Sequence, residues 1–245
     1  MDDRKHYYFL IAILAFLVAI FFTFSLLVST TGGSLSNILT TIDQHDSEIS
    51  SLIIREIRLP RAILGLLIGA TLGLAGATLQ GYLRNPLAEP GVIGVSTAAA
   101  LGAVLAIYTG LSLVVPLALP LMAIGGSLIV VLLLQTLAGA GNVLTLILAG
   151  VAISSLCGAL TSLTLNLSDN PFASLEIVFW LLGSITDRSM VHVWLATPFI
   201  LTGWLLLISS ARALDALSLG EEVALSLGVN VKQTRLLVVS GTAIS

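Results

Sequence analysis

The sequence predicts an all-α fold, a polytopic bundle of transmembrane helices, and three observations carry that prediction. Hydrophobic residues make up 57% of the 245-residue chain and charged residues only 9%, against about 25% in soluble domains. No Asp, Glu, Lys, Arg or His occurs between Glu89 and Asp169. Apolar stretches close to the ~20 residues that cross a bilayer recur along the chain. So few charges cannot build a solvated shell, and so long a charge-free segment needs lipid or other apolar helices around it.

Residues 1–245 read as a single transmembrane domain. Six segments have the length and apolarity of spans: 8–28, 62–83, 92–109, 113–136, 143–166 and 192–210. A seventh, 232–245, begins near Lys232 and reaches Ser245 inside the span, so the chain is expected to be incomplete. The first apolar stretch, Tyr7 to Val28, exceeds the ~7–15 residues of a signal peptide, which predicts a retained span. Residues 29–61 read as a long polar loop, 84–91 as a tight turn and 137–142 as a short Gly/Ala connector. The patch Phe172–Ser184 is too short to span and reads as a re-entrant or interfacial helix. Residues 211–231 read as an amphipathic connector.

With the N-terminus inside, the inner segments carry Arg4, Lys5, Arg84, Arg212, Lys232 and Arg235. The outer ones carry Arg55, Arg58, Arg61 and Arg188. That excess places the N-terminus in the cytoplasm by the positive-inside rule.

Small residues recur at helical spacing. Gly65, Gly69, Gly73 and Ala77 share one face, with Gln80 a turn further on. Gly94, Ala98 and Gly102 form a second, and Gly150, Ser154 and Gly158 a third. Helices gain little hydrophobic free energy by associating in lipid, so these glycines read as close-packing positions. Gln80 is expected either to bond a neighbouring helix or to face a pathway.

The composition also excludes functions. Net charge is −3 and there is no basic block, which argues against nucleic acid. Cys157 is the only cysteine and reads as a small packing residue. The spans lack the intramembrane ionisable residues of a proton relay or an ion-selective ring, so an ion-coupled carrier or channel is the weaker alternative. No metal cluster or cofactor site is legible, no catalytic residues are expected, and no G-x-x-x-x-G-K-[ST] string is present. Energy for uphill transport would come from another chain.

Three strings stand out. Ile57-Arg58-Leu59-Pro60-Arg61 precedes the second span. Gln80-Gly81-Tyr82-Leu83-Arg84-Asn85-Pro86-Leu87-Ala88-Glu89-Pro90-Gly91 follows it. The third is Ser218-Leu219-Gly220-Glu221-Glu222-Val223-Ala224-Leu225-Ser226-Leu227-Gly228-Val229. In the third, Ser218 and Glu221 have capping-box spacing and Gly228 reads as a helix terminator. Leu219, Val223 and Leu227 fall on one face. A helix lying on lipid headgroups favours a basic polar face. Glu221 and Glu222 therefore favour docking on a soluble partner. Asn85, Pro86 and Pro90 read as a rigid turn.

Together, in this order and spacing, the strings resemble the FecCD permease family of ABC importers, which serve iron–siderophores, haem and vitamin B12. The resemblance runs from the first span to Ser245. It implies about ten spans per subunit and two such subunits, as a homodimer or with a close paralogue, in the cell membrane. It implies that Ser218–Gly228 couples to a cytoplasmic ATPase. It also implies that Arg58 and Arg61 receive acidic residues of an extracytoplasmic substrate-binding protein. Arginine suits bidentate carboxylate recognition, although interfacial anchoring reads equally well from the residues alone. Trp180 and Gly183 would lie beside the outer mouth and the path. An iron–siderophore-type chelate is the implied substrate, with haem or cobalamin as alternatives.

Overall fold

The computed structural model describes residues 3–27, 52–138, 143–186 and 188–245, and among them the regular structure is entirely helical. The chain divides into two compact units, Met1–Gly69 with Ile185–Ala196, and Ala70–Ser184 with Thr197–Ser245. Among the described residues, five helices are long and apolar enough to cross a membrane.

In the first unit, α1 (Asp3–Leu27) exposes large side chains such as Phe9, Phe16 and Phe21 around its length. An α-helix satisfies its own backbone, so lipid can surround it at no polar cost. The next helix starts earlier than its composition suggests. Leu52 and Ile53 are already helical and a π-turn, Ile54–Arg58, leads into α2 (Leu59–Leu83). The apolar helix therefore runs from Ile54, not 62, and 52–61 does not belong to a polar loop. The rest of that predicted loop, 29–51, lies outside the described residues, as does 139–142 of the short Gly/Ala connector. Pro60 explains the π-turn. Its ring crowds the carbonyl four residues back and it lacks an N–H. The widened turn, with the Leu59 N–H donating to the Ile54 carbonyl, absorbs that misfit.

In the second unit, a 3-10 turn (Pro90–Ile93) opens onto α3 (Val95–Tyr108), followed by the single turn α4 (Leu111–Val114). Next come α5 (Ala118–Ala138), α6 (Val143–Asn166) and α7 (Pro171–Leu182). The chain continues through α8 (Met190–Ser209), α9 (Ala211–Ser218), α10 (Glu221–Ser226) and α11 (Val231–Ile244). α3 is shorter than the predicted 92–109 span, because Gly94 sits in a left-handed conformation at its start. The helical stretch from Met190 reaches Ser218, beyond the predicted end at 210. α7 is capped by Asn170, whose side chain accepts from the Phe172 N–H, with Pro171 in the first turn.

Glycine decides how closely these helices approach. A methyl group on Gly102 of α3 would strike the Met122 carbonyl of α5, and one on Gly126 of α5 the Ala98 carbonyl of α3. On α6, Gly150 lies against the Val92 carbonyl, and a Cβ on Gly94 would come within 2.9 Å of the Gly150 carbonyl. Backbone thus meets backbone between α3, α5 and α6, the close approach that substitutes for a hydrophobic drive in lipid. Gly94, Gly102 and Gly150 are packing glycines as the sequence suggests. Gly69, Gly73 and Gly158 are exposed, with nothing among the described residues within 4 Å of where a Cβ would stand. Gly65 meets only the Ile185 side chain, at 3.8 Å. The face of α2 that buries itself in the second unit is instead Thr71, Ala75, Thr78, Leu79 and Tyr82. Periodicity locates a small-residue stripe but does not say which stripe is covered.

Several threonine hydroxyls bond back to their own helix. Thr78 donates to the Leu74 carbonyl, Thr164 to Leu160 and Thr202 to Pro198. Trp204 Nε1 donates to Thr71 Oγ1 at 3.0 Å, tying α8 to α2. Cys157 is buried in the main core, a packing role.

Gly102→Ala should destabilise the chain in detergent by roughly 1–3 kcal/mol, because the obstacle is backbone and cannot swing aside. Gly73→Ala should cost nothing measurable and gain the ordinary helix preference of Ala over Gly. Reversible unfolding of the chain in mixed micelles compares the two, and equal effects would contradict this packing.

Candidate functional site

The C-terminus of α2 is closed by a six-residue cap. The Asn85 N–H donates to the Gln80 carbonyl at 3.2 Å, and Arg84 holds the left-handed position with φ 50°. Asn85 then organises the turn. Its Oδ1 accepts from the Leu87 N–H at 2.9 Å and its carbonyl from the Ala88 N–H at 3.1 Å. Pro90 starts the 3-10 turn, whose Ile93 is fully buried, and Ala88 is buried beside it. Asn85, Pro86 and Pro90 thus shape a packed element, with Leu87 at its exposed tip. The Gln80 side chain is exposed on the uncovered glycine face.

The segment 211–231 is three pieces. α9 ends at Ser218, and Gly220 turns the chain with φ 113° and ψ 151°, a region open in practice only to glycine. α10 follows, and Gly228 ends it. The Val229 N–H donates to Ala224 and the Gly228 N–H to Leu225, a complete Schellman motif. Asn230 then caps α11 by accepting from the Gln233 N–H. The predicted capping box does not form. The Ser218 hydroxyl donates to the Asp215 carbonyl at 2.6 Å, and Gly220, with no side chain to bond, holds the N-cap of α10. The Gly220 bend also places Leu219 at the end of α9, so Leu219, Val223 and Leu227 do not form one continuous helical stripe.

What the segment does form is a two-sided element. Leu217 and Ala224 face inward, at 5% and 0% exposure. They join the core that holds Tyr82, Leu83, Ala88, Ile93, Val238 and Val239. Leu219, Val223, Leu225 and Leu227 face outward, exposed at 66%, 45%, 54% and 64%, with Glu222 beside them. Glu221 is half-buried. The core thus brings the Asn85–Gly91 turn and the Ser218–Gly228 segment to one end of the second unit.

Two residues at this end escape a reading by composition. Arg235, which by charge alone is one more inner cation, is buried at 6% exposure in α11, and Tyr82 at 4%. The signal was present: Thr234, Arg235, Val238 and Thr242 share the buried face of α11 at helical spacing.

The remaining candidates lie elsewhere. At the far end of α3, Trp180 of α7 packs against the buried Val104, Ile107 and Ile177, and Gly183 ends α7 with φ 76°. In the first unit, the Arg58 guanidinium donates to the Leu26 carbonyl at 2.9 Å. That contact satisfies one orphan carbonyl at the end of α1. Arg61 is half-buried and its Nε has no hydrogen-bond partner among the described residues. Among the described residues no three His, Cys, Asp or Glu side chains converge as a metal site would require.

A model of the FecCD transport family matches residues 17–244. The chain belongs to the FecCD transport family. It is similar to the uncharacterised ABC transporter permease protein YvrB of Bacillus subtilis, with 41% identity covering 79% of this chain and 56% of that protein. It is also similar to the cobalamin import system permease protein BtuC of Halobacterium salinarum, 38% identical over 79% of this chain and 52% of that protein. The hemin transport system permease protein HmuU of Yersinia pestis is 38% identical over 74% of this chain and 55% of that protein. A solved chain from a metal-chelate type ABC transporter in an inward-facing conformation superposes with TM-score 0.81 and 31% identity, covering 94% of this chain and 72% of that one. This FecCD-family chain therefore spans about half the length of the curated relatives it matches, and its apolar helices fit the family's multi-pass membrane architecture.

Arg84→Gly should stabilise the α2 cap by about 1 kcal/mol, since glycine adopts the left-handed conformation without the Cβ clash. A raised unfolding midpoint checks this, and a lowered one would show that the Arg84 side chain contributes more than its backbone costs.

Proposed function

We propose that this chain acts as the translocation subunit of a binding-protein-dependent ABC importer and carries a metal chelate of the iron–siderophore type across the cell membrane. The observation that carries the reading is the two-sided segment Ser218–Gly228. Its inner side is locked into the bundle core and its outer side offers an apolar, acidic-edged surface. Such a face suits a groove on a soluble partner. ATP hydrolysis belongs to that partner, an ABC ATPase on the cytoplasmic side.

Topology supports a cytoplasmic placement. If Met1 starts inside, α1 and α2 return the chain to the inner side at the Asn85–Gly91 turn. The segment Ser218–Gly228 shares its core with that turn. Four passages separate the two: α3, α5, α6 and α8. The 14-residue α3 therefore counts as a crossing, its reach extended by the packed turn before it.

Arg58 and Arg61, on the opposite side of the membrane in this topology, are proposed to dock the substrate-binding protein. The planar guanidinium fork matches a carboxylate bidentately, which suits acidic side chains on that partner. A second permease subunit, identical or closely related, completes the pathway. Trp180 and Gly183 would act there through packing at the outer mouth. The substrate reading rests on a metal-chelate transporter of the same fold and on similarity to the Fe(3+) dicitrate transport system permease protein FecD of Escherichia coli. Haem or cobalamin are the alternatives, and vesicles loaded with ATP and tested with ferric siderophore, hemin and cobalamin separate them.

In the complete transporter, Val223→Asp or Leu227→Asp should weaken ATPase binding at least roughly tenfold, because a carboxylate would be buried in an apolar contact. Co-purification of the ATPase reads this out, and undiminished recovery would remove the docking role of this surface.

A further inference from the structure

Besides the Ser218–Gly228 surface, the second unit holds a polar notch where α8 passes into α9 and α11 begins. The cavity measures about 310 Å³. Ser209 ends α8, Arg212 lies in the first turn of α9, and Asn230, Gln233 and Thr234 come from the start of α11. Leu237, a turn further along α11, gives it an apolar side. Elsewhere along their lengths α8 and α11 close on each other: a Cβ on Gly241 would strike the Leu207 side chain, and one on Gly203 the Gly241 carbonyl. Arg212 is the first Asp, Glu, Lys or Arg after Arg188, so it marks the level at which α8 leaves the hydrocarbon.

The hydrogen bonds around the notch define its chemistry. The Ser209 hydroxyl donates to the Leu206 carbonyl at 2.7 Å, and the Thr234 hydroxyl to the Asn230 carbonyl at 3.0 Å. Asn230 Oδ1 accepts from the Gln233 N–H at 3.1 Å. Those hydroxyl hydrogens are committed, which leaves the Arg212 guanidinium and the side-chain NH₂ groups of Asn230 and Gln233 as donors. Arg212 is exposed and has no hydrogen bond or ion pair among the described residues. No Asp or Glu among the described residues lines the cavity. The 14-residue α11 starts beside it, and its dipole adds positive potential there. One cation, neutral donors and no carboxylate suit an anion, and a guanidinium takes phosphate oxygens in pairs.

We propose that this notch is a phosphate site, filled in the membrane by the headgroup of an anionic phospholipid. Arg212 is the charged donor, and Asn230 and Gln233 are the neutral ones. Inorganic phosphate shares this chemistry, but a notch at the headgroup level with Leu237 on its apolar side fits a phosphate that carries acyl chains. The absence of a lining carboxylate leaves the amine of a zwitterionic headgroup without a partner, which favours an anionic lipid. Arg212 and Asn230 stand at the two roots of the Ser218–Gly228 segment, so a bound headgroup ties those roots together. The site does not depend on the docking role proposed above. The proposed topology decides only that the leaflet is the cytoplasmic one, where anionic lipid gathers.

The test titrates the complete permease, stripped of lipid in mild detergent and without ATPase, with phosphatidylglycerol, phosphatidylcholine and inorganic phosphate. Native mass spectrometry counts the bound species. Phosphatidylglycerol should bind roughly tenfold more tightly than phosphatidylcholine. Arg212→Met should abolish that preference and Gln233→Leu should reduce it severalfold. Arg84→Gln, which removes an exposed cation outside the cavity, should leave it unchanged. Arg212 and Gln233 are both exposed, so their variants keep the fold, and an unaltered melting curve in detergent checks this. A preference that survives Arg212→Met, or that falls equally in Arg84→Gln, overturns the site, the second because it shows charge attraction spread over the surface. Inorganic phosphate bound by the wild type and lost in Arg212→Met, with no preference for phosphatidylglycerol, upholds the phosphate site and overturns its assignment to lipid. Binding of neither overturns both.

Discussion

Close backbone approach among α3, α5 and α6 is the constraint on which the rest of the second unit depends. In a bilayer the surrounding tails are as apolar as leucine, so burying leucine against leucine brings little. Helices must instead meet through surfaces that fit at short range. Gly102 and Gly126 let α3 and α5 meet backbone to backbone, and Gly94 and Gly150 do the same for the start of α3 and α6. This packing fixes the Pro90–Ile93 turn against α6, and the turn fixes the position of Ala88 and the end of α2. A shift of one helix would be felt at each of the others.

The Ser218–Gly228 segment rests on that block. Its local geometry is set by two glycines with different tasks: Gly220 redirects the chain and Gly228 closes α10. Between them lies a helix of six residues, too short to be stable alone. It holds its shape because Ala224 is sealed in the core and because both ends are fixed. A short element held firmly on one side and bare on the other is well suited to pass on a push, since it has little internal freedom in which to dissipate it.

Much of this is legible in the sequence. Charge scarcity and the recurring apolar stretches point to the helical membrane fold, and the paired strings around Arg58–Arg61 and Asn85–Gly91 point to the FecCD family. The 12-residue α7 and the Gly228 terminator also follow from local chemistry. Other features depend on three-dimensional context. The glycine stripe of α2 has the same spacing as those of α3 and α6, yet among the described residues nothing meets Gly69 or Gly73, because spacing does not name the neighbour. Ser218 has capping spacing to Glu221, but Gly220 between them takes a conformation that ends one helix and starts another. Arg235 counts in the sequence as one more inner cation, while its burial follows from the face it shares with Val238 and Thr242.

The central claim is that the Val223–Leu227 surface faces the cytoplasm, on the same side as the N-terminus, and is free until an ATPase covers it. Single cysteines at Lys5, Val223 and Asp169 in a Cys157→Ala background, probed with a membrane-impermeant maleimide, test it directly. Inverted vesicles should label positions 5 and 223 and right-side-out vesicles position 169, with added ATPase protecting 223 alone. Labelling of 223 from the same side as 169 would contradict that placement.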